Sequence, residues 1–244
     1  MIKLRASPER RRRIVTVAAV VALCAAGGGA FAIWRAHRLA MEQRLMAISP
    51  SDNALPPDLV RFAKRIADPV FAANCAGCHG SDWKGRIDIG APNLTDTTWL
   101  YRHSVFDIER VILYGLRSGH AKGIDVTEMP AFGQRGQMDS ADIGNVVQYV
   151  MQLSGRPVDA NAAALGQPLF MQFCADCHDT DGEGNPDYGS PDLTANVWDY
   201  GGTPRQLANS IYFGRHGVMP AFYGKISLVE ARALAVTIHG TSAK

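Results

Sequence analysis

Two short cysteine motifs carry the chemistry that this sequence can perform. Each has the form C-x-x-C-H, a spacing typical of covalent haem attachment, in which both thiols bond to the porphyrin and the adjacent imidazole lies beneath the iron. The residues concerned are Cys75, Cys78, His79, Cys174, Cys177 and His178. A redox dithiol or a structural zinc site is the alternative for a single motif. Zinc needs four ligands, and neither motif has a second cysteine pair, so the sequence predicts two covalently bound haem c groups.

The two motifs belong to an internal repeat, which indicates two copies of one domain. An offset of 99 residues relates Cys75 to Cys174, and the positions that follow keep this register. They are Gly85, Gly90, Pro92, Trp99 and Tyr101 in the first copy, and Gly184, Gly189, Pro191, Trp198 and Tyr200 in the second. A Met-Pro-Ala-Phe sequence then recurs at an offset of 90, because the first copy carries an insertion between Gly119 and Glu128.

Two methionines are candidates for the sixth iron ligand. Met129 and Met219 open the repeated Met-Pro-Ala-Phe sequences, and the following proline keeps each in an extended conformation. A thioether is a soft ligand, and His/Met ligation raises the potential of a c-type haem. His120 competes with Met129 for this role, and His216 competes with Met219. With two protein ligands on each iron, no position remains open for substrate, so the predicted chemistry is transfer of single electrons.

The aromatic residues of the repeat allow two interpretations. Trp99, Trp198, Tyr101 and Tyr200 either pack on haem and donate a hydrogen bond to a propionate, or are ordinary core aromatics. Pro92 and Pro191 are expected to shape the loop over the histidine of each motif.

The elements that position these groups read as helices joined by long loops. Asp68 before Pro69 predicts a helix start that leads into the first motif. Apolar residues recur at helical spacing between positions 105 and 116, and amphipathic helices are predicted to open at Ser140 and Ser227. Neither copy contains a run of alternating polarity that would indicate a strand, so the fold class is all-α.

The N-terminal region predicts a membrane anchor. Ile14 to Trp34 is 21 residues without a charge, and a membrane helix needs about 20. The arginines at positions 10–13 keep the N-terminus in the cytoplasm under the positive-inside rule. The alternative is a signal peptide cleaved after Ala32. In both cases the bulk of the chain is exported. It carries a net charge of −5 beyond residue 38, which suits a basic redox partner or merely maintains solubility.

The ordered set of motifs resembles a known family. Tandem C-x-x-C-H domains behind a basic anchor, each with P-[ND]-L-T followed by W-x-Y, resemble the di-haem subunit III of cbb3-type cytochrome c oxidases, the FixP/CcoP family. The run from Tyr114 to His120 and the run from Glu128 to Gly133 add to this resemblance, which covers residues 60–242. It implies two tandem class I cytochrome c domains behind one transmembrane helix. The corresponding boundaries are 1–35 for tail and anchor, 36–65 for the linker, and 66–156 and 160–244 for the two domains.

The resemblance also implies a role and a ligand set. Electrons would arrive from a soluble cytochrome c or a quinol–cytochrome c reductase, cross both haems, and pass through a mono-haem subunit to the catalytic haem-copper subunit. The chain would sit in the bacterial inner membrane with its haems in the periplasm, and would not be an enzyme by itself. The implied axial pairs are His79 with Met129 and His178 with Met219. A free-standing tethered di-haem carrier and a di-haem enzyme are the alternatives.

Overall fold

The structure is a computed structural model that describes residues 8–49, 55–125 and 128–242. The chain divides into two compact units, Met1–Ile48 and Ser49–Lys244. In the described ranges every named element is a helix, and strand-like pairing is confined to isolated bridges. The helices are α1 Pro8–Met46, α2 Pro57–Asn74, α3 Ala76–His79, α4 Val105–Tyr114, α5 Ser140–Leu153, α6 Ala160–Phe173, α7 Ala175–His178, α8 Pro204–Phe213 and α9 Leu228–Ser242. This composition agrees with the predicted all-α class.

The first unit consists mainly of α1, a helix of 39 residues. The predicted anchor Ile14–Trp34 lies within it, whereas positions 1–7 of the predicted basic tail lie outside the described residues. Among the helices that the structure describes, none is both long enough and apolar enough to span a membrane. An exposed ion pair between Arg38 and Glu42, one turn apart at 2.8 Å, supports the polar end of α1.

Helix α2 begins earlier than the sequence predicts. Pro56 is its N-cap and Pro57 is its first residue, while Pro69 lies inside the helix. The prediction of a helix start at Asp68 is therefore wrong. The proline pair at 56–57 supplies the preferred helix start, and the apolar stripe that runs from Leu59 to Phe71 continues through Pro69. Packing of that stripe outweighs the hydrogen bond that Pro69 removes.

Side-chain caps fix where the later helices begin. Ser104 and Asp107 form a capping box at α4, and Thr203 and Gln206 form one at α8. Helix α5 is capped by Asp139, whose carboxylate accepts from the backbone N–H groups of the first turn. The predicted opening residue Ser140 is therefore the first helical residue, not the cap.

The C-terminal helices of the two repeats are exchanged. Helix α9, which ends the second repeat, packs against α2 and α4 of the first. Helix α5, which ends the first repeat, packs against α6 and α8 of the second. The described helices of Ser49–Lys244 therefore pack across the predicted boundary between 66–156 and 160–244.

The half of the fold that contains the second motif has a well-defined apolar core. On α5, Ile143, Val146, Val147 and Val150 recur at helical spacing and are buried together with Phe170 of α6. The two helices approach very closely at Gly166, where a Cβ atom would lie 2.1 Å from the carbonyl oxygen of Asn145. A glycine is therefore required at this crossing.

A buried ion pair joins the exchanged helix to its host. Nε of Arg232 on α9 donates to the carboxylate of Glu109 on α4, and the two side chains are only 7% and 10% exposed. The Arg232 guanidinium also lies 4.4 Å from the ring centroid of Phe106. In the second repeat, the position that corresponds to Glu109 is Ala208 on α8. When the N-caps Asp139 of α5 and Ser227 of α9 are aligned, the position that corresponds to Arg232 is Gly144 on α5. The pair is therefore specific to the α4–α9 contact.

Candidate haem sites

Each C-x-x-C-H motif forms a single helical turn. In the first, the N–H groups of Cys78 and His79 both donate to the Cys75 carbonyl, at 3.1 and 2.9 Å. The second motif repeats these bonds at the same distances from Cys174. The turn brings both cysteines and the histidine of a motif into one short segment, and none of these four thiols is in a disulfide. This arrangement fits attachment of one porphyrin edge per motif.

Both motif histidines are held in the tautomer that a metal ligand needs. Nδ1 of His79 lies 3.1 Å from the Pro92 carbonyl oxygen, and Nδ1 of His178 lies 3.1 Å from that of Pro191. A carbonyl oxygen can only accept, so Nδ1 carries the proton and Nε2 keeps its lone pair. Burial lowers the pKa of both histidines, against a smaller raising effect of the proline carbonyls. Each imidazole is therefore neutral and able to bind iron.

The cysteines do not have the electrostatics of a redox dithiol. Burial, with a smaller contribution from Cys78, raises the pKa of Cys75 from 9.0 to about 11. Burial and then Cys177 raise that of Cys174 to about 12. Reactive C-x-x-C pairs depend on a cysteine whose pKa is lowered. Formation of thioether bonds with a cofactor therefore fits these residues better than disulfide exchange.

Met219 lies in the half of the fold that contains the first motif. Its N–H and carbonyl exchange two hydrogen bonds of 3.0 Å with Leu116, just after α4. The N–H of Phe222 then donates to the Ile112 carbonyl at 3.2 Å. Gly115 is required here, because its φ is +74° and a Cβ atom would lie 2.3 Å from the Met219 carbonyl oxygen.

Met129 lies in the half of the fold that contains the second motif. It exchanges two hydrogen bonds of 3.1 Å with Arg215, just after α8, and its side chain packs against the apolar core that includes Cys174. This placement is the opposite of the implied pairing of His79 with Met129 and of His178 with Met219. The structure brings Met129 to the motif of His178 and Met219 to the motif of His79, because the Met-Pro-Ala-Phe segments are exchanged along with the helices that follow them.

The two competing histidines make other contacts. The ring of His120 lies 5.0 Å from that of Tyr114 and 5.9 Å from that of Tyr223, and its Nδ1 accepts from the N–H of Lys122 at 3.1 Å. His216 lies at the surface, with Nδ1 2.5 Å from the carboxylate of Glu128. Met129, unlike His216, packs against the apolar core of the second half.

The repeated tyrosines interlock the two halves. A Cβ atom at Gly90 would lie 2.0 Å from Cζ of Tyr200, and one at Gly189 would lie 2.2 Å from Cζ of Tyr101. Each tyrosine ring thus covers the glycine of the other repeat. The Arg215 guanidinium also stacks on the Tyr200 ring at 4.1 Å. These contacts fix the two motif-bearing loops relative to each other, within the single unit Ser49–Lys244.

A comparison with known families agrees with this geometry. The family model described as cytochrome c oxidase, cbb3-type, subunit III matches residues 63–150 and 161–236, one match for each repeat. The chain belongs to this family. The sequence-based prediction of the family is thereby confirmed, and membership implies covalently bound haem c and an electron-transfer role within an oxidoreductase complex that has other oxidase subunits.

Several subunits of cbb3-type oxidases are similar over most of this chain. Subunit CcoP of Cereibacter sphaeroides is 36% identical over 82% of this chain and 68% of its own length. Subunit FixP of Bradyrhizobium sp. (strain ORS 278) is 39% identical over 80% and 67%. Subunit FixP of Azorhizobium caulinodans is 38% identical over 83% and 68%.

Two groups in this cbb3-type subunit were missed by the sequence reasoning. Burial, and secondarily the Asp96 carboxylate, raise the pKa of Asp199 from 3.8 to about 6. Arg156 lies in the short segment between the repeats, and its guanidinium stacks on the Trp198 ring at 5.1 Å. Asp199 is part of the repeated W-x-Y sequence and could have been noticed there. Arg156 falls at a predicted domain boundary, where nothing in the sequence distinguishes it.

Proposed function

We propose that this chain is a membrane-anchored di-haem cytochrome c subunit, which passes electrons toward the oxygen-reducing core of a cbb3-type oxidase. The observation that carries the proposal is the pair of matching sites. Each combines two adjacent thiols, a neutral histidine with Nδ1 bonded to a proline carbonyl, and an extended methionine segment. A single such site would suit many cytochromes, whereas the pair and the family membership fit a di-haem subunit.

The proposed ligand sets follow the exchanged arrangement. One haem would be attached to Cys75 and Cys78, with His79 and Met219 as axial ligands. The other would be attached to Cys174 and Cys177, with His178 and Met129 as axial ligands. When bound, haem c supplies a centre that takes up and releases one electron at a time. The protein's part is to hold both axial positions, exclude competing ligands and set the potential.

The axial ligands also bear on whether the chain is an enzyme. An iron held by histidine and methionine has no open position, so we propose outer-sphere electron transfer and no catalysis by this subunit alone. The alternative, a di-haem enzyme, requires one displaceable distal ligand. The two methionine segments are held by equivalent backbone pairs, to Leu116 and to Arg215, which favours the electron carrier.

The proposed setting is the bacterial inner membrane. Ile14 to Trp34 would act as the single-pass anchor, with the arginines at 10–13 on the cytoplasmic side and both haems in the periplasm. The proposed partners are the mono-haem cytochrome subunit and the catalytic haem-copper subunit. The proposed donor is a soluble cytochrome c or a quinol–cytochrome c reductase.

Purification from native membranes in a mild detergent tests the proposal. We expect two covalent haems per chain by mass spectrometry, with b-type haem and oxygen consumption in the same fraction. The double variant that combines Cys75→Ser with Cys78→Ser is the matched control, and it should retain one haem. Recovery of the wild-type chain alone, carrying c-type haem only, would reduce the function to that of a tethered carrier.

A further inference from the structure

The guanidinium of Arg156 occupies an unusual position just beyond α5. The backbone N–H of Arg156 donates to the Met151 carbonyl at 3.0 Å, which holds the segment against the helix end. Its Nε donates to Oγ of Ser154 at 2.9 Å, and its Nη1 donates to the Gly202 carbonyl. The guanidinium lies over the Trp198 ring. Three neighbours, Ser154, Gly202 and Trp198, thus hold the side chain in place.

One nitrogen of this fixed group has no partner. Of the buried side-chain nitrogen and oxygen atoms in the described part of the chain, only Nη2 of Arg156 makes no hydrogen bond. Burial lowers the pKa of the group, yet an arginine remains charged in proteins. A buried charged N–H without an acceptor carries the full cost of its desolvation, so an acceptor is expected at this position.

No carboxylate of the described residues serves as that acceptor. Arg156 makes no ion pair in the described ranges. Asp199, which directly follows Trp198, has a pKa raised to about 6 by burial and by Asp96. A nearby guanidinium would lower this pKa instead, so Asp199 is not the counter-ion of Arg156.

The surroundings connect the unpaired nitrogen to the second motif. Trp198 packs against the core cluster that contains Cys174, and Met129 packs against the same cluster. Leu153, the last residue of α5, lies against Gly182 in the loop after the motif. The guanidinium therefore lies over a side chain that packs against the same apolar cluster as Cys174, a residue of the proposed second haem site.

We propose that Nη2 of Arg156 donates to a propionate carboxylate of the haem attached at Cys174 and Cys177. This inference rests on the proposed function. Carboxylate is the group that the arginine fork recognises best, and a charge-assisted bond satisfies the unpaired N–H. Among the described residues of the first repeat, the ring of Trp99 stacks on His103 at 5.2 Å and no guanidinium lies over it.

The charge of Arg156 has a definite effect on the potential. A fixed cation disfavours the additional positive charge of ferric iron, so its removal stabilises the ferric state and lowers the midpoint potential. It also keeps the propionate ionised. Without the cation the propionate pKa rises, and the potential becomes more dependent on pH near neutrality.

The test uses the full chain with both haems, in detergent, and compares Arg156→Gln with Arg156→Lys. Arg205→Gln is the matched control, because Arg205 is exposed on α8. Spectroelectrochemical titration between pH 5 and 9 should resolve two one-electron components. In Arg156→Gln we expect the midpoint potential of one component to fall by about 59 mV, which is a tenfold change in equilibrium constant in favour of the oxidised state. The potential of this component should also depend more steeply on pH. Arg156→Lys keeps the charge and should retain most of the potential, and Arg205→Gln should shift neither component.

A structural role for Arg156 would give a different pattern. If both potentials and their pH profiles stay at wild-type values in Arg156→Gln and Arg156→Lys, while only the thermal midpoint falls, the inference is overturned. Resonance Raman of the haem propionate bending band gives a second readout, and it should change in Arg156→Gln but not in Arg205→Gln. If mass spectrometry finds no covalent haem on Cys174 and Cys177, the proposed function itself fails, and this failure is distinguishable from a wild-type potential in a fully loaded chain.

Discussion

Replacing Arg232 with methionine should lower the free energy of unfolding by about 3–5 kcal/mol, because it leaves a buried carboxylate on Glu109 without its partner. The magnitude follows from the burial of both side chains, which are 7% and 10% exposed. Contact of the guanidinium with the Phe106 ring adds to the loss. This loss is a large fraction of a typical domain stability of about 5–15 kcal/mol.

The same reasoning predicts recovery when both charges are removed. Glu109→Leu combined with Arg232→Met should be close to wild type, because a well-packed apolar pair often replaces a buried ion pair at no loss. The surface pair Lys64–Asp68 is the control. Its side chains are 56% and 50% exposed, so Lys64→Met should cost less than about 1 kcal/mol.

Denaturant unfolding of the haem-loaded chain, followed by circular dichroism, gives the coupling energy through a double-mutant cycle. A charge exchange, Glu109→Arg with Arg232→Glu, adds a second test, and it should recover part of the loss. If each single substitution costs less than about 1 kcal/mol and the effects are additive, the pair does not hold α9 on α4. The exchange of helices would then have to be stabilised by apolar packing alone.

Three further predictions follow from single contacts. Gly90→Ala should destabilise the fold by about 2 kcal/mol or more, because its φ is +67° and a Cβ atom would lie 2.0 Å from Tyr200; a thermal midpoint equal to wild type would contradict this. Asp199→Asn should increase stability by up to about 3 kcal/mol at pH 8 and not at pH 4. The folded-state pKa of Asp199 is raised from 3.8 to about 6, so its ionisation opposes folding as pH rises through this interval; equal gains at both pH values would refute it. Asp139→Ala removes the N-cap of α5 and should cost about 1 kcal/mol in denaturant unfolding.

Local features of this fold were readable from the sequence. The two C-x-x-C-H motifs and the two Met-Pro-Ala-Phe segments are each encoded within a few consecutive residues. Their recurrence shows the internal repeat, and the family that they indicate is confirmed. The start of α2 was misplaced because Asp68-Pro69 has the pattern of a helix start, while packing of the continuous apolar stripe decides the outcome.

The exchange of helices was not readable in the same way. The two repeats are similar, so either C-terminal helix presents a suitable apolar face to either repeat. The choice depends on contacts between residues far apart in sequence, such as Glu109 with Arg232 and Met129 with Arg215. No periodicity or motif reports these contacts. For this reason the methionine segments lie with the opposite motifs from those that the resemblance implies.

The central claim is that each haem takes its histidine from one repeat and its methionine from the other. A chain with Cys75→Ser and Cys78→Ser should carry only the second haem, so its optical spectrum reports one ligand set. We predict that adding Met129→Ala removes the charge-transfer band of methionine-ligated ferric haem and lowers the potential, whereas adding Met219→Ala leaves both unchanged. The opposite result, with the band lost only in Met219→Ala, would contradict the exchanged arrangement.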